Sequence, residues 1–168
     1  AFNFTGASDS YLTATSRTGR IGGGLGFTLS AWVHRTRSGS AYDRVIDFGS
    51  GANADNVIVN FQYGMSYDVL HGSSYSDRKV DSLAFPVSTW THVAVVQSRS
   101  STEDTTGPAK IYWDGVERAS GTLKFPLDVD RSGLYVGKSH WSGTPRNDPM
   151  FQGSMRDLLV WDFALSEA

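Results

Sequence analysis

Apolar and polar residues alternate along most of this chain at the two-residue period of an extended strand, in short runs separated by clusters of Gly, Ser, Asn and Asp. In residues 27–34, Phe27, Leu29, Ala31 and Val33 share one face while Thr28, Ser30, Trp32 and His34 share the other. The first face suits a core, and the second can floor a groove. Residues 57–63 (VIVNFQY) are rich in the β-branched and aromatic side chains that fit a pleated, half-buried surface. Residues 91–97 are apolar enough for a central strand, with Val93 and Val95 in the core. Trp90 and Trp113 are expected to be buried with them, and His92 to be a buried, hydrogen-bonded histidine. Segments 109–113 and 116–119 flank Asp114-Gly115, a pair that tolerates positive φ and so predicts a two-residue hairpin turn. Residues 98–108 read as a solvent loop. Shorter runs at 1–4, 11–13, 44–48, 67–71, 79–83 and 134–136 add further strands.

The last stretch, residues 151–168, organises the rest. As an extended chain it places Met155, Asp157, Leu159 and Trp161 on one side and Arg156, Leu158 and Val160 on the other. A strand apolar on both faces belongs inside a sheet, and the N-terminal run is its best partner. About twelve strands without a helical period predict an all-β fold, a two-sheet antiparallel sandwich with its first and last strands adjacent. One domain over residues 1–168 suits the length.

Composition narrows the function classes. Five Trp, seven Tyr and nine Phe argue against disorder, and 18 Gly argue for many turns. A net charge of −2 with both signs scattered suggests neither nucleic acid nor an anionic membrane surface as partner. No run approaches the roughly 20 apolar residues that span a bilayer. With no cysteine there is no disulfide framework. The first residues lack both Met and a signal-peptide pattern, as expected of a domain cut from a larger protein, and Asn3-Phe4-Thr5 matches the N-glycosylation triplet.

Four blocks occur in order with matching gaps: Phe27-Thr28-Leu29-Ser30-Ala31-Trp32-Val33, Thr89-Trp90-Thr91-His92-Val93-Ala94-Val95, Ile111-Tyr112-Trp113-Asp114-Gly115-Val116, and Phe151-Gln152-Gly153-Ser154-Met155-Arg156-Asp157 with Ala164-Leu165-Ser166. In these the chain resembles the laminin G-like jelly roll over nearly its full length. The resemblance implies the concanavalin A-like lectin and glucanase architecture, an extracellular or cell-surface setting, and a ligand that is a glycan or an extracellular protein. It also implies a structural calcium ion. Asp157 stands where relatives carry a calcium-binding aspartate, and Asp9, in the first turn, is placed to approach the same spot. The alternative for Asp157 is hydrogen bonding to loop amides without a metal.

Three functions are weighed. Glycan hydrolysis needs paired carboxylates, and the three glutamates, Glu103, Glu117 and Glu167, are far apart in sequence. The acidic pair Asp128 and Asp130 lies in a loop, where solvation or a cation explains it better, so no enzyme is expected. Sugar recognition needs flat aromatic faces and a few polar groups. These cluster in three loops: Asn53, Asp55 and Asn56; His71, Tyr75, Asp77 and Arg78; and His140, Trp141, Arg146, Asn147 and Asp148. Trp141 is either an exposed contact or a lid folded over the sandwich edge, and His34 and His71, at strand ends, are either ligand contacts or simply exposed. The expected function is a non-catalytic carbohydrate-binding module of a larger protein, with Trp141, His140, Arg146, Asn147, Tyr75, His71 and Asn56 as contacts. A protein-binding adhesion module using the same loop rim is the alternative.

Overall fold

The computed structural model describes residues 1–14, 21–38, 42–62, 64–74, 79–81 and 84–166, with 79–81 described by backbone alone. Tyr75, Asp77, Arg78 and Glu167 lie outside the described residues. In chain order the strands are β1 (Phe2–Thr5), β2 (Leu12–Ala14), β3 (Gly26–Arg35), β4 (Asp43–Gly49), β5 (Val57–Phe61) and β6 (Met65–Val69). They continue with β7 (Lys79–Asp81), β8 (Trp90–Ser98), β9 (Thr106–Trp113), β10 (Val116–Lys124), β11 (Gly133–Val136) and β12 (Gln152–Trp161). Two six-stranded antiparallel sheets result. We call β1-β12-β3-β8-β9-β10 the front sheet and β2-β11-β4-β5-β6-β7 the back sheet.

The predicted sandwich and its strand count are found, and the chain's first and last strands lie side by side with Phe2 opposite Met155 and Thr5 opposite Gln152. The inward positions of both sheets, including Phe27, Leu29, Val33, Val57, Val59, Phe61, Ile111 and Phe151, form one core. Each such side chain removed from water stabilises the fold by about 1.5–3 kcal/mol. The two sheets are also tied by polar contacts. Arg35 on β3 grips Asp43 on β4 through Nη2 at 2.7 Å and Nε at 3.1 Å. The Tyr67 hydroxyl donates to Gln97 Oε1 at 2.8 Å, and burial lifts this phenol above its ordinary pKa.

Several details differ from the sequence reading. Residues 106–108 belong to β9 rather than to a loop, because Gly107 lets that strand press against β8, where a Cβ would lie 1.8 Å from the Ser98 carbonyl oxygen. β10 runs on to Lys124. Trp113 is buried as expected, yet Trp90 is 37% exposed and His92 faces outward. The cause is strand parity: with Val93 and Val95 in the core, Trp90 and His92 must point the other way. In β12 one extra residue intrudes between Arg156, opposite Trp32, and Leu159, opposite Ser30. Asp157 sits in this bulge at a φ of 52°. The bulge resets the alternation, so Arg156 and Leu159 share the outer face with Trp32 and Ser30, and Asp157 leaves the Met155 face. The Asp114-Gly115 turn forms as predicted, with φ values of 49° and 78°. Asp114 is further hooked to β8, accepting the His92 backbone N–H on Oδ1 at 2.8 Å.

Candidate ligand-binding site

Sequence reasoning placed the site on a rim of loops. Two of them, 53–56 and 138–150, meet over the outer face of the back sheet, and what they build there is a seal. The 138–150 loop lays Trp141 over β5 so that it is only 7% exposed, clustered with Ile58 and Leu70. The lid arrangement is therefore the one found. Arg44 and Arg146 stand against the indole at 5.6 and 5.8 Å. Beneath the loop lies a buried polar network. Asp148 accepts from Arg44 Nη2 at 2.7 Å and from Ser139 Oγ at 2.9 Å. Asp47 takes the His140 side chain at 3.0 Å, the His140 backbone N–H at 2.9 Å and Asn56 Nδ2 at 2.8 Å. Burial alone would raise the Asp47 pKa, but the His140 hydrogen bonds and the Arg44 charge outweigh it and hold the carboxyl below its ordinary value.

The predicted contacts divide accordingly. Asn56 is fully buried and saturated, donating to Asp47 and to the Gly51 carbonyl at 3.0 Å and accepting the Ala54 N–H at 2.8 Å. The His140 ring is buried against Tyr135 at 4.5 Å. Trp141, His140 and Asn56 thus act as packing and network residues rather than as a ligand-facing surface, because each is enclosed where its polar atoms are already used. His71 is half-buried at the sandwich end, with Nε2 donating to the Phe125 carbonyl at 2.7 Å. Arg146 and Asn147 remain at the surface, and Asn147 Oδ1 accepts the Gly143 N–H at 3.0 Å.

The expected cation pair separates. Thr5 is opposite Gln152, and Asp9 lies beyond Thr5, while Asp157 is five positions past Gln152 in the other direction along β12. At about 3.3 Å per residue the two carboxylates are at least roughly 16 Å apart along the sheet, too far to share one ion. The Asp157 side chain is 68% exposed, 3.9 Å from Arg156 Nε. Among the described residues no group of three His, Asp or Glu side chains is close enough to hold a metal ion. In the Asp128/Asp130 loop the charge beside Asp128 is the protein's own Arg131, whose Nη2 donates to the Leu127 carbonyl at 3.0 Å.

The outer face of the front sheet is built differently. Trp32 on β3 is directly opposite His92 on β8, and His34 is opposite Trp90. Cross-strand neighbours on one face are close enough for rings to touch, and here the centroids are 5.4 and 5.5 Å apart. From β12, opposite Trp32, Arg156 brings its guanidinium 5.2 Å from the Trp32 ring and 5.1 Å from the Trp90 ring. The five side chains make an aromatic platform crossed by one cation. Below it, toward the start of β3, a groove of about 530 Å³ runs over Thr28, Ser30, Ala94, Val96 and Tyr112, with His92 joining groove and platform. Glu117 borders the hairpin side, paired with Lys110 at 3.0 Å.

The groove's end wall is the segment after β12. Thr28 Oγ1 donates to the Phe163 carbonyl at 2.8 Å and accepts the Leu165 N–H at 3.0 Å, which holds residues 163–165 across the outer face of β3. Gly26 makes the crossing possible, since a Cβ there would lie 2.0 Å from the Ala164 nitrogen. Leu165 and Ser166 then line the groove. An apolar groove floor with aromatic rings at one end and a few polar groups between them suits a flat, hydroxylated ligand. Part of this face was visible in the alternation that put Thr28, Ser30, Trp32 and His34 together as a groove floor. Trp90, His92 and Arg156 were missed. The alternation of 91–97 carried the signal for the first two, and for the third it lay in the alternation with Met155, in a strand apolar on both faces.

No curated protein matches the sequence. Among solved structures the fold is similar to domain 4 of AbnA, a GH43 extracellular arabinanase from Geobacillus stearothermophilus, in complex with arabinotriose. That match has a TM-score of 0.64 and 18% identity, over 98% of this chain and 82% of that one. It is similar to the CBM40 of the Ruminococcus gnavus IT-sialidase bound to alpha2,3 sialyllactose, with a TM-score of 0.63 and 15% identity over 97% and 95% of the two chains. It is also similar to the heptameric SAP-like pentraxin of Limulus polyphemus, with a TM-score of 0.62 and 16% identity over 98% and 76%. What these share with the chain is the fold. Residues 5–168 match the family model Laminin_G_3, and the chain therefore belongs to the concanavalin A-like lectin/glucanases superfamily.

Proposed function

We propose that this domain is a non-catalytic carbohydrate-binding module and that it binds on the outer face of the front sheet. One observation carries the reading: Trp32, His34, Trp90 and His92 form an outward platform continuous with a groove of about 530 Å³. Aromatic faces contribute large rigid contact area at little entropic cost, and the Thr28, Ser30, His92 and Tyr112 groups beside them supply hydrogen bonds to hydroxyls. Two of the similar structures are described with bound arabinotriose and sialyllactose, which supports a glycan as the ligand class. The extracellular arabinanase among them supports a setting at or outside the cell surface, within a larger protein.

The reading is tested on a panel of oligosaccharides by calorimetry, with the melting temperature followed in parallel. Trp90→Ala and Trp32→Ala should each weaken binding about tenfold or more, the range of a central aromatic anchor. Trp90→Ala should leave the melt nearly unchanged. Absence of binding across the whole panel by the unaltered domain rejects the proposal, as does full affinity in both variants.

A further inference from the structure

We infer that the glycan taken by this face is acidic, with its carboxylate held by Arg156; the inference rests on the carbohydrate reading above. Arg156 is on the outer face because it follows the buried Met155 in regular register, opposite Trp32. Its side chain is 48% exposed, and its one charged neighbour is Asp157, with Nε to Oδ2 at 3.9 Å, beyond hydrogen-bond length. No side chain or carbonyl of the described protein takes a hydrogen bond from it, whereas the buried arginines Arg35, Arg44 and Arg131 are all engaged. The guanidinium stands instead at 5.2 and 5.1 Å from the Trp32 and Trp90 rings.

Contact with two indole rings restrains the guanidinium and leaves its N–H groups without a hydrogen-bond acceptor among the described residues. Those groups match a carboxylate with two parallel hydrogen bonds. A sugar laid against the exposed face of Trp90 brings a ring carboxylate within reach of them. The other charges on this face are already answered. Glu117 is paired with Lys110 at 3.0 Å, and Asp114 Oδ1 is taken by the His92 N–H at 2.8 Å. Asp157 is the one carboxylate that competes, from a solvated position where screening weakens it.

The test compares an acidic oligosaccharide with its carboxyl-reduced, neutral counterpart on the unaltered domain, once with a uronic-acid chain and once with a sialylated one. We expect the acidic form to bind about tenfold more tightly in at least one arm, the arm identifying the source of the carboxylate, because a charge-assisted fork at a half-exposed site is worth about one decade. Raised salt should narrow that gap. Arg156→Gln should abolish it and Arg156→Lys restore it only in part, while Asp157→Asn should widen it about twofold. Equal affinity for acidic and neutral forms in both arms overturns the inference and leaves the carbohydrate reading standing. Failure of every glycan, acidic or neutral, removes both.

Discussion

The two outer faces of this sandwich start from similar material, rows of polar and aromatic residues on the outward positions of six strands, and end in opposite states. On the back sheet the 138–150 loop covers Arg44, Asp47, Ile58 and Leu70, and every strand residue from β4 to β6 is buried. On the front sheet, among the described residues, the segment 163–166 crosses at one end, and Trp32, His34, His92 and Arg156 stay in reach of solvent. Charge follows the cover. Under the loop, acids are paired with Arg44 and His140 at 2.7 and 3.0 Å, because a charge removed from water must find a partner. In the open, Arg156 is left with aromatic faces and a distant carboxylate. A polar outward face is thus a site or a seal according to whether a loop lies on it.

Five substitutions, one of them followed by titration, sharpen that contrast. The largest effect is expected from Asp148→Ala, which takes from Arg44 Nη2 its partner at 2.7 Å and leaves the guanidinium with Asp47 at 3.6 Å; losing one partner of a buried pair costs about 3–5 kcal/mol. A urea melt measures it. Trp141→Ala should cost about 3 kcal/mol by opening a cavity against Ile58 and Leu70. Its glycan affinity should stay within about twofold of the unaltered domain, so a large loss of binding with an unchanged melt would reverse the assignment of the two faces. Trp90→Ala should do the opposite, weakening binding about tenfold while costing less than about 1 kcal/mol in stability, as for an exposed aromatic outside the core.

Acid provides a milder probe. The Asp47 carboxyl is held below its ordinary value of 3.8 in the folded state, so its contribution to stability is complete above that value and is lost as pH falls through the lower, folded one. Stability should therefore decline with acidification below about pH 4, and Asp47→Asn should flatten that decline while lowering stability at neutral pH. A slope identical in both proteins would place the acid-sensitive group elsewhere. The smallest effect is expected from Asp9→Asn. With Asp9 on the far side of Thr5 from Asp157, the substitution should change neither the melting temperature nor its response to a chelator.

Most of the fold was legible because period-two alternation reports directly which face is buried. The runs at 27–34, 57–63 and 109–119 gave β3, β5 and the β9–β10 hairpin within a few residues. The site was less legible, for two physical reasons. Trp90 and His92 follow from the inward assignment of Val93 and Val95, but a Trp-Thr-His run looks like core when hydrophobicity is weighed without parity. Arg156 follows from the inward assignment of Met155, but β12 reads as apolar on both faces, so neither stands out as the outer one; the bulge after Arg156 then inverts the faces beyond it and carries no strong mark when its positive-φ residue is an aspartate instead of a glycine. Loop residues failed as predictors for another reason. Their burial depends on what they fold onto, and Trp141 found Ile58 and Leu70.

The placement of β12 between β1 and β3 also sets the order of events in folding. Phe2 waits for Met155, and Val33 waits for the same residue from the other side. β1 and β3 therefore hold a vacant strand position between them until the last strand of the chain has been made. Pairings of such long sequence separation form slowly, and unpaired edges invite other chains while they wait. During synthesis the front sheet stays incomplete until β12 has been made.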